Sequence, residues 1–318
     1  MNGGTMQSVG GNPMTTLSAT TSAPAIRPLT ATHSSQLKLA MRTFLRDRMA
    51  TASLAVIALA VGFSILAPWL APYDPNVAGT PVRRLLPMFS EGHFLGTDGQ
   101  GRDILSRLIW GGRVSLPIGI VPPLVTAVVA LIVGIVAGYF GKRVAAFIMR
   151  PMDVLFAFPM VLLAVAVSAV LGPGMMNVML SMAIVMVPYF TRVVYVETVA
   201  VRSSDYIEAA IVSGSSTLKI MLQEVLPNVF APVLVYATTA IGAMIVFASG
   251  LSFLGLGVQP PTADWGIMSS DGLSVLARRP HVATVPGIVI IIVALAFNFV
   301  GDGIRDALDP RQRTQVGK

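Results

Sequence analysis

Between Asp205 and Asn228 the chain reads DYIEAAIVSGSSTLKIMLQEVLPN, about two dozen helix-forming residues flanked on both sides by long apolar segments. A lipid-spanning chain has no use for such a polar insert unless something in the aqueous phase docks on it. The chemistry on offer is non-covalent: charges, helix termini and a turn. Asp205 is placed to cap a helix N-terminus, and Glu208, three residues on, completes a capping-box pattern. Gly214 interrupts that helix, Ser215, Ser216 and Thr217 offer a second N-cap, and Pro227 is expected to end the second helix. The predicted element is helix, sharp turn, short helix, lying at a membrane surface.

Covalent chemistry finds no support. There is no G-x-x-x-x-G-K-[ST] loop, since GYFGK at 138–142 has neither the spacing nor the hydroxyl, so the chain has no P-loop of its own. G-x-S-x-G, H-E-x-x-H and paired catalytic carboxylates do not occur. The absence of cysteine excludes disulfides and thiolate metal sites. His33, His93 and His281 are far apart with no partner at metal-ligand spacing, and read as surface or loop residues. No catalytic residue, metal or cofactor is expected.

The elements that position the insert follow from composition. Of 318 residues 54% are hydrophobic and only 12% charged, about half the charge of a typical soluble domain, and mean hydropathy is +0.75. Apolar segments of spanning length stand at 51–71, 114–140, 154–171, 175–191, 229–250 and 284–300. Backbone in lipid must satisfy its own hydrogen bonds, so these are helices and the fold class is an all-α polytopic bundle of six spans. Six spans put both termini on one side. Fifteen basic residues would face that side (Arg27, Lys38, Arg42, Arg46, Arg48, Lys142, Arg143, Arg150, Arg192, Arg202, Lys219, Arg305, Arg311, Arg313 and Lys318). Seven would face the other (Arg83, Arg84, Arg102, Arg107, Arg113, Arg278 and Arg279). The positive-inside rule then makes both termini and the insert cytoplasmic. The net charge of +7 is read through that rule rather than as a nucleic-acid footprint, since no basic cluster is interleaved with aromatics.

Residues 1–36, rich in Ser, Thr, Gly, Pro and Ala, read as a disordered cytoplasmic tail, and 37–318 as the membrane domain. Leu37–Met49 is a basic amphipathic lead-in. Gly134-x-x-x-Gly138 permits close helix approach and is assigned to packing within the chain. Pro122, Pro123, Pro159 and Pro188 suggest kinks. No span carries a central acidic residue of the kind that couples proton or sodium movement.

Glu208-Ala209-Ala210, then Gly214, then Leu226-Pro227 resemble the EAA loop of ABC importer permeases. Three further stretches are similar to the dipeptide/oligopeptide/nickel branch of that family. The first is His93-Phe94-Leu95-Gly96-Thr97-Asp98 with Gly101-Arg102-Asp103, Ser106-Arg107 and Gly112-Arg113, in the loop before the second span. The second is LSFLGLG at 251–257, followed by Gln259-Pro260-Pro261 and Asp264-Trp265-Gly266. The third is Asn298, Gly301-Asp302-Gly303, Arg305-Asp306 and Leu308-Asp309-Pro310-Arg311. The resemblance covers roughly 40–318 and looks like the shorter of the branch's two permeases. Gln223-Glu224 departs from the basic Arg-His pair that members often carry there.

The resemblance implies a permease subunit in the bacterial inner membrane. It implies a homologous second permease, two ATP-binding subunits and an extracytoplasmic solute-binding protein, with no nucleic acid and with lipid around the spans. Asp205, Glu208, Ala209, Ala210, Gly214, Leu226 and Pro227 would couple to the ATPase. The outer-loop residues Gly96, Thr97, Asp98, Gly101, Arg102, Asp103, Pro260, Pro261, Trp265 and Gly266 read first as structural. On that reading Asp98, Arg102 and Asp103 are surface ion pairs worth about 0–1 kcal/mol each. Trp265 is an interfacial anchor. Arg305 is expected to pair with Asp302 or Asp309 on a short helix closed by Pro310. Dipeptides, longer peptides, glutathione and chelated nickel all stand open as solutes. An ion-coupled secondary transporter and a non-transporting scaffold are the alternatives.

Overall fold

The chain forms helices almost throughout, as backbone in hydrocarbon must. The structure, a computed structural model, describes Gly3, residues 33–80 and residues 83–308. Helix α1 (His33–Arg46) lies against the end of the last helix, and Asp47 then caps α2 (Arg48–Ile65), accepting the N–H groups of Met49 at 2.8 Å and Ala50 at 3.3 Å. The tail expected over 1–36 lies mostly outside the described residues. Its last four residues are the first turn of α1, because a helix needs a turn ahead of its first internally bonded N–H.

Four long helices complete the frame: α4 (Ile104–Tyr139), α7 (Met175–Arg202), α10 (Leu226–Phe253) and α12 (His281–Leu308). Short α3 (Ala67–Leu70) follows α2, so the first span stops at Ile65 rather than running to 71. The other helices outrun the predicted spans. α4 has 36 residues, about 54 Å at the α-helical rise, and takes in ten residues expected in the preceding loop. Hydropathy marks only the part of a helix that lipid surrounds, while the hydrogen-bond ladder continues into polar surroundings. α4 and α7 also run on through Pro117, Pro122, Pro123 and Pro188.

The third predicted span is the main correction. Residues 154–171 are not one straight helix. α5 (Lys142–Phe156) and α6 (Met160–Leu171) meet at a 93° bend, and α6 with 12 residues is about 18 Å long against a hydrocarbon core of about 30 Å. Pro159, which has no N–H to continue the ladder, stands directly ahead of α6. Among the described residues five helices are long and apolar enough to cross a membrane, and the bent pair, taken as one broken span, makes a sixth. Connectivity requires it. α4 ends beside the end of α7, where the Arg202 guanidinium lies 5.3 Å from the Tyr139 ring centre. The start of α7 is tied to the end of α10 by the Gly174 N–H donating to the Gly257 carbonyl at 3.1 Å.

Close packing of α4 on its neighbours depends on absent side chains. A Cβ on Gly134 would stand 2.6 Å from Val194 Cβ, and one on Gly138 2.6 Å from Thr198 Cβ, both on α7. The Gly134–Gly138 pair is thus an intrachain seam, as expected. At the other end of the sequence Gly303 of α12 meets Phe44 and Ala50. The first and last described helices, and the 205–228 insert between α7 and α10, therefore share one end of the bundle. Residues 74–80 and 83–103, with α11 (Trp265–Leu273), occupy the opposite end.

Candidate functional site

The insert folds as two short helices, α8 (Asp205–Val212) and α9 (Thr217–Ile220), joined by a tight turn. Gly214 takes φ +78°, the left-handed conformation that glycine adopts at little cost. The Ser215 N–H donates to the Ala210 carbonyl at 3.1 Å and the Gly214 N–H to the Ile211 carbonyl at 3.0 Å. These two bonds make a Schellman motif, so Ala210 and Gly214 serve the turn through backbone geometry.

Two details of the predicted element are corrected. Ser204, not Asp205, is the extended N-cap residue, and no side chain caps α8, so the capping box does not form. Asp205 and Glu208 instead sit exposed in the first turn, where their charge suits the positive end of the helix. Pro227 does not end the second helix. A π-helical turn over Met221–Val225 joins α9 to α10, and Pro227 falls in the first turn of α10. The Leu226 N–H closes that turn on the Met221 carbonyl, directly ahead of Pro227, which has no N–H to donate.

The insert is anchored and exposed at once. Ile207, Ile220 and Val225 are buried, with at most 2% of their surface accessible, and join the core of the bundle. Ile211, Val212, Leu218 and Leu222 are exposed, Val212 at 88%. Amide and hydroxyl tie the two ends together, the Asn228 Nδ2 standing 3.4 Å from the Tyr206 Oη and 2.6 Å from the Glu224 carbonyl. The insert thus leaves four apolar side chains uncovered while Ile207, Ile220 and Val225 are buried in the bundle. Sequence reasoning named the polar and small residues of this loop and missed these four. Their signal was there, in apolar residues that the two short helices have no second core to bury.

At the opposite end the outer-loop residues form a buried network rather than surface pairs. Asp98, Arg102, Asp103 and Arg107 are each at most 6% exposed. Asp98 Oδ2 accepts from Arg102 Nε at 2.6 Å and lies 3.7 Å from Arg107 Nε. Asp98 Oδ1 takes the N–H groups of Gln100 and Arg102, each at 2.9 Å. Asp271 of α11 stands 3.6 Å from Arg102 Nη2. Arg107 Nη1 donates to the carbonyls of Pro75 at 2.8 Å and Pro261 at 3.1 Å, joining three segments. Asp103 caps α4 through Ser106 N at 2.7 Å and pairs with buried His93 Nδ1 at 2.9 Å. His93 and His281 are thus buried rather than superficial.

Thr97 is fully buried and bonds the 83–86 backbone, accepting from Leu86 N at 2.9 Å and donating to the Arg83 carbonyl. Gly96 and Gly101 both hold positive φ, packed against Leu86 and Gly79. Trp265 is 3% exposed, so it is not an interfacial anchor. Its indole N–H donates to the Leu108 carbonyl at 2.8 Å and its ring fills the space left by Gly111 and Gly112 of α4. Asp264 caps α11 and accepts from Ser115 Oγ at 2.6 Å, and Gly266 packs on Ser249. Pro260 is exposed and takes no part. Within 252–283 the run 263–268 is packed into the bundle, while 253–255, 259–261 and 276–278 are exposed. Arg305 lies on the last turns of α12 itself and makes no ion pair with Asp302, while the alternative partner Asp309 and the closing Pro310 fall outside the described residues.

Comparison with known proteins agrees with this geometry. Residues 130–314 match the family described as binding-protein-dependent transport system inner membrane component. Residues 35–87 match the N-terminal TM domain of oligopeptide transport permease C. The chain is 40% identical over 299 residues to the di/tripeptide transport system permease protein DppC of Pseudomonas aeruginosa, covering 93% of this chain and 98% of that protein. It is 41% identical to the glutathione transport system permease protein GsiD of Pectobacterium atrosepticum, covering 86% and 90%. Among solved structures, an inward-facing form of the MetNI methionine ABC transporter shares the fold, with a TM-score of 0.53 at 16% identity, over 64% of this chain and 97% of that one. The matched region takes in more than half of the chain, and the relatives extend over nearly all of it. The chain belongs to the inner membrane components of binding-protein-dependent transport systems, the permease subunits of ABC importers.

Proposed function

We propose that this permease carries a small peptide-type solute, a di- or tripeptide or glutathione, and that the 205–228 insert is the cytoplasmic seat of a partner ATPase. The names of the 40–41% identical relatives support the solute class. The observation that carries the coupling role is the exposed apolar face of Ile211, Val212, Leu218 and Leu222 on a turn locked into the bundle by Ile207, Ile220 and Val225. A second, homologous permease would complete the path, and an extracytoplasmic binding protein would deliver the solute. Nucleotide-driven closure of the ATPase pair would move the docked insert and, through the continuous helix from α9 into α10, bias the bundle between two packings. That bias is no larger than the difference in docking free energy between them. The ion-coupled alternative lacks its carrier, since Asp153 is matched by Arg192 at 3.3 Å and Glu197 lies near the end of α7.

The chain has no cysteine, so single cysteines report without background. Val212→Cys should react with an impermeant maleimide only from the cytoplasmic side and crosslink to the ATPase subunit. Glu91→Cys, exposed at the opposite end, should label only from outside. Labelling of both from one side overturns the orientation, and absence of crosslinking in an active complex overturns the docking role.

A further inference from the structure

Beside the insert lies a cavity of about 600 Å³ between α7, α10 and α12, a size typical of small-molecule sites. α10 lines it with Val235, Tyr236 and Thr239, α7 with Val193 and α12 with Leu308. α7 and α12 each add one charge to the lining, Glu197 and Arg305. Neither is within ion-pair distance of an opposite charge among the described residues. Glu197 is half-buried and Arg305 exposed, so both are reachable from solution.

Two neutral groups of the lining are also available. The Tyr236 ring packs on Phe190 with centroids 4.8 Å apart, and its hydroxyl, which interacts electrostatically with Tyr189, makes no hydrogen bond among the described residues. Asn228 commits its amide nitrogen to the Glu224 carbonyl and the Tyr206 hydroxyl, which leaves its side-chain carbonyl as an acceptor. Thr239 has turned its hydroxyl back to its own helix, to the Val235 carbonyl at 3.1 Å and the Tyr236 carbonyl at 3.0 Å, and adds only surface. One acid, one base and an unused donor–acceptor pair around a single concavity match a molecule with a cationic end, an anionic end and an amide between them.

We propose that this cavity is an inner binding site for a zwitterionic, peptide-like solute, with Glu197 taking the ammonium group, Arg305 the carboxylate, and Tyr236 and Asn228 an intervening amide. The assignment rests on the reading of the chain as a permease for peptide-type solutes. It adds where the solute pauses and how it is oriented. Because Asn228 bonds Tyr206 of α8, occupancy of the cavity reaches the docking insert through one side chain.

The test uses the purified permease–ATPase complex without its binding protein, with trialanine, N-acetyl-trialanine and trialanine amide as probes. In the wild type, blocking either end should weaken equilibrium binding roughly 10-fold or more, the worth of a charge-assisted hydrogen bond. Glu197→Gln should abolish discrimination against the N-acetyl probe alone, and Arg305→Gln discrimination against the amide alone. A merely structural role would not produce this end-specific pattern. Equal loss for all probes, or no discrimination in the wild type, overturns the site. The same loss in Asp309→Asn would assign the Arg305 charge to a contact with the following segment and also overturn it. Uptake of trialanine and glutathione by intact cells separates the two readings. Import without end-specific binding leaves the permease reading standing and the site refuted. No import of either removes both.

Discussion

Gly214 offers the cleanest perturbation of the 205–228 insert and of the coupling role proposed for it. It sits at φ +78°, and a Cβ built there meets nothing within 4 Å. The cost of a side chain is therefore backbone strain alone, about 1–2 kcal/mol for an L-residue in the left-handed region. Valine, β-branched, should cost more than alanine, and asparagine, which tolerates this region, should cost least. Relief of the strain would break the bonds from Ser215 N to the Ala210 carbonyl and from Gly214 N to the Ile211 carbonyl, and swing α9 away from α8. A penalty of about 1–2 kcal/mol reduces the population of the turned insert by about 5- to 30-fold. The residue lies outside every candidate span, so insertion should be untouched. In reconstituted complex, solute uptake per ATP hydrolysed should fall in the order Gly, Asn, Ala, Val, while alkaline extraction shows equal membrane content. A Gly214→Val chain that inserts, assembles and transports at the wild-type rate would refute the requirement for this turn.

Two further outcomes concern stability. Asp98→Asn removes the charge between two buried guanidinium groups, and loss of one partner from a buried ionic cluster costs about 3–5 kcal/mol. The variant should lose monodisperse detergent-solubilised protein, whereas a surface pair would leave melting unchanged. Gly138→Leu forces a side chain against Thr198 and should destabilise by about 1–3 kcal/mol through overpacking. Gly250→Leu, on a face of α10 with nothing within 4 Å, is the matched control and should melt like the wild type.

The sequence alone determines those features that depend on local chemistry. A helix in lipid needs a long apolar run, so the spans announce themselves, and so does the polar insert between two of them. A tight turn between helices needs a left-handed residue, so Gly214 is legible by type. Even the pairing of Gly134 and Gly138 with a neighbouring helix follows from their spacing, though not which helix. Burial is different, because it is decided jointly by residues distant in the chain. Asp98 and Arg102 look like any exposed i, i+4 pair until Arg107, Pro261 and Asp271 close over them. Trp265 has the composition of an interfacial anchor, and only the groove left by Gly111 and Gly112 turns it inward. Pro159 signals a break, but not that α5 and α6 meet at 93° with both helices packed on α7. Glu197 and Arg305, 108 positions apart in the chain, acquire a common cavity only when α7 and α12 are both packed on α10. Propensity and hydropathy are sums over neighbours in sequence, whereas charge burial and cavity lining are properties of neighbours in space.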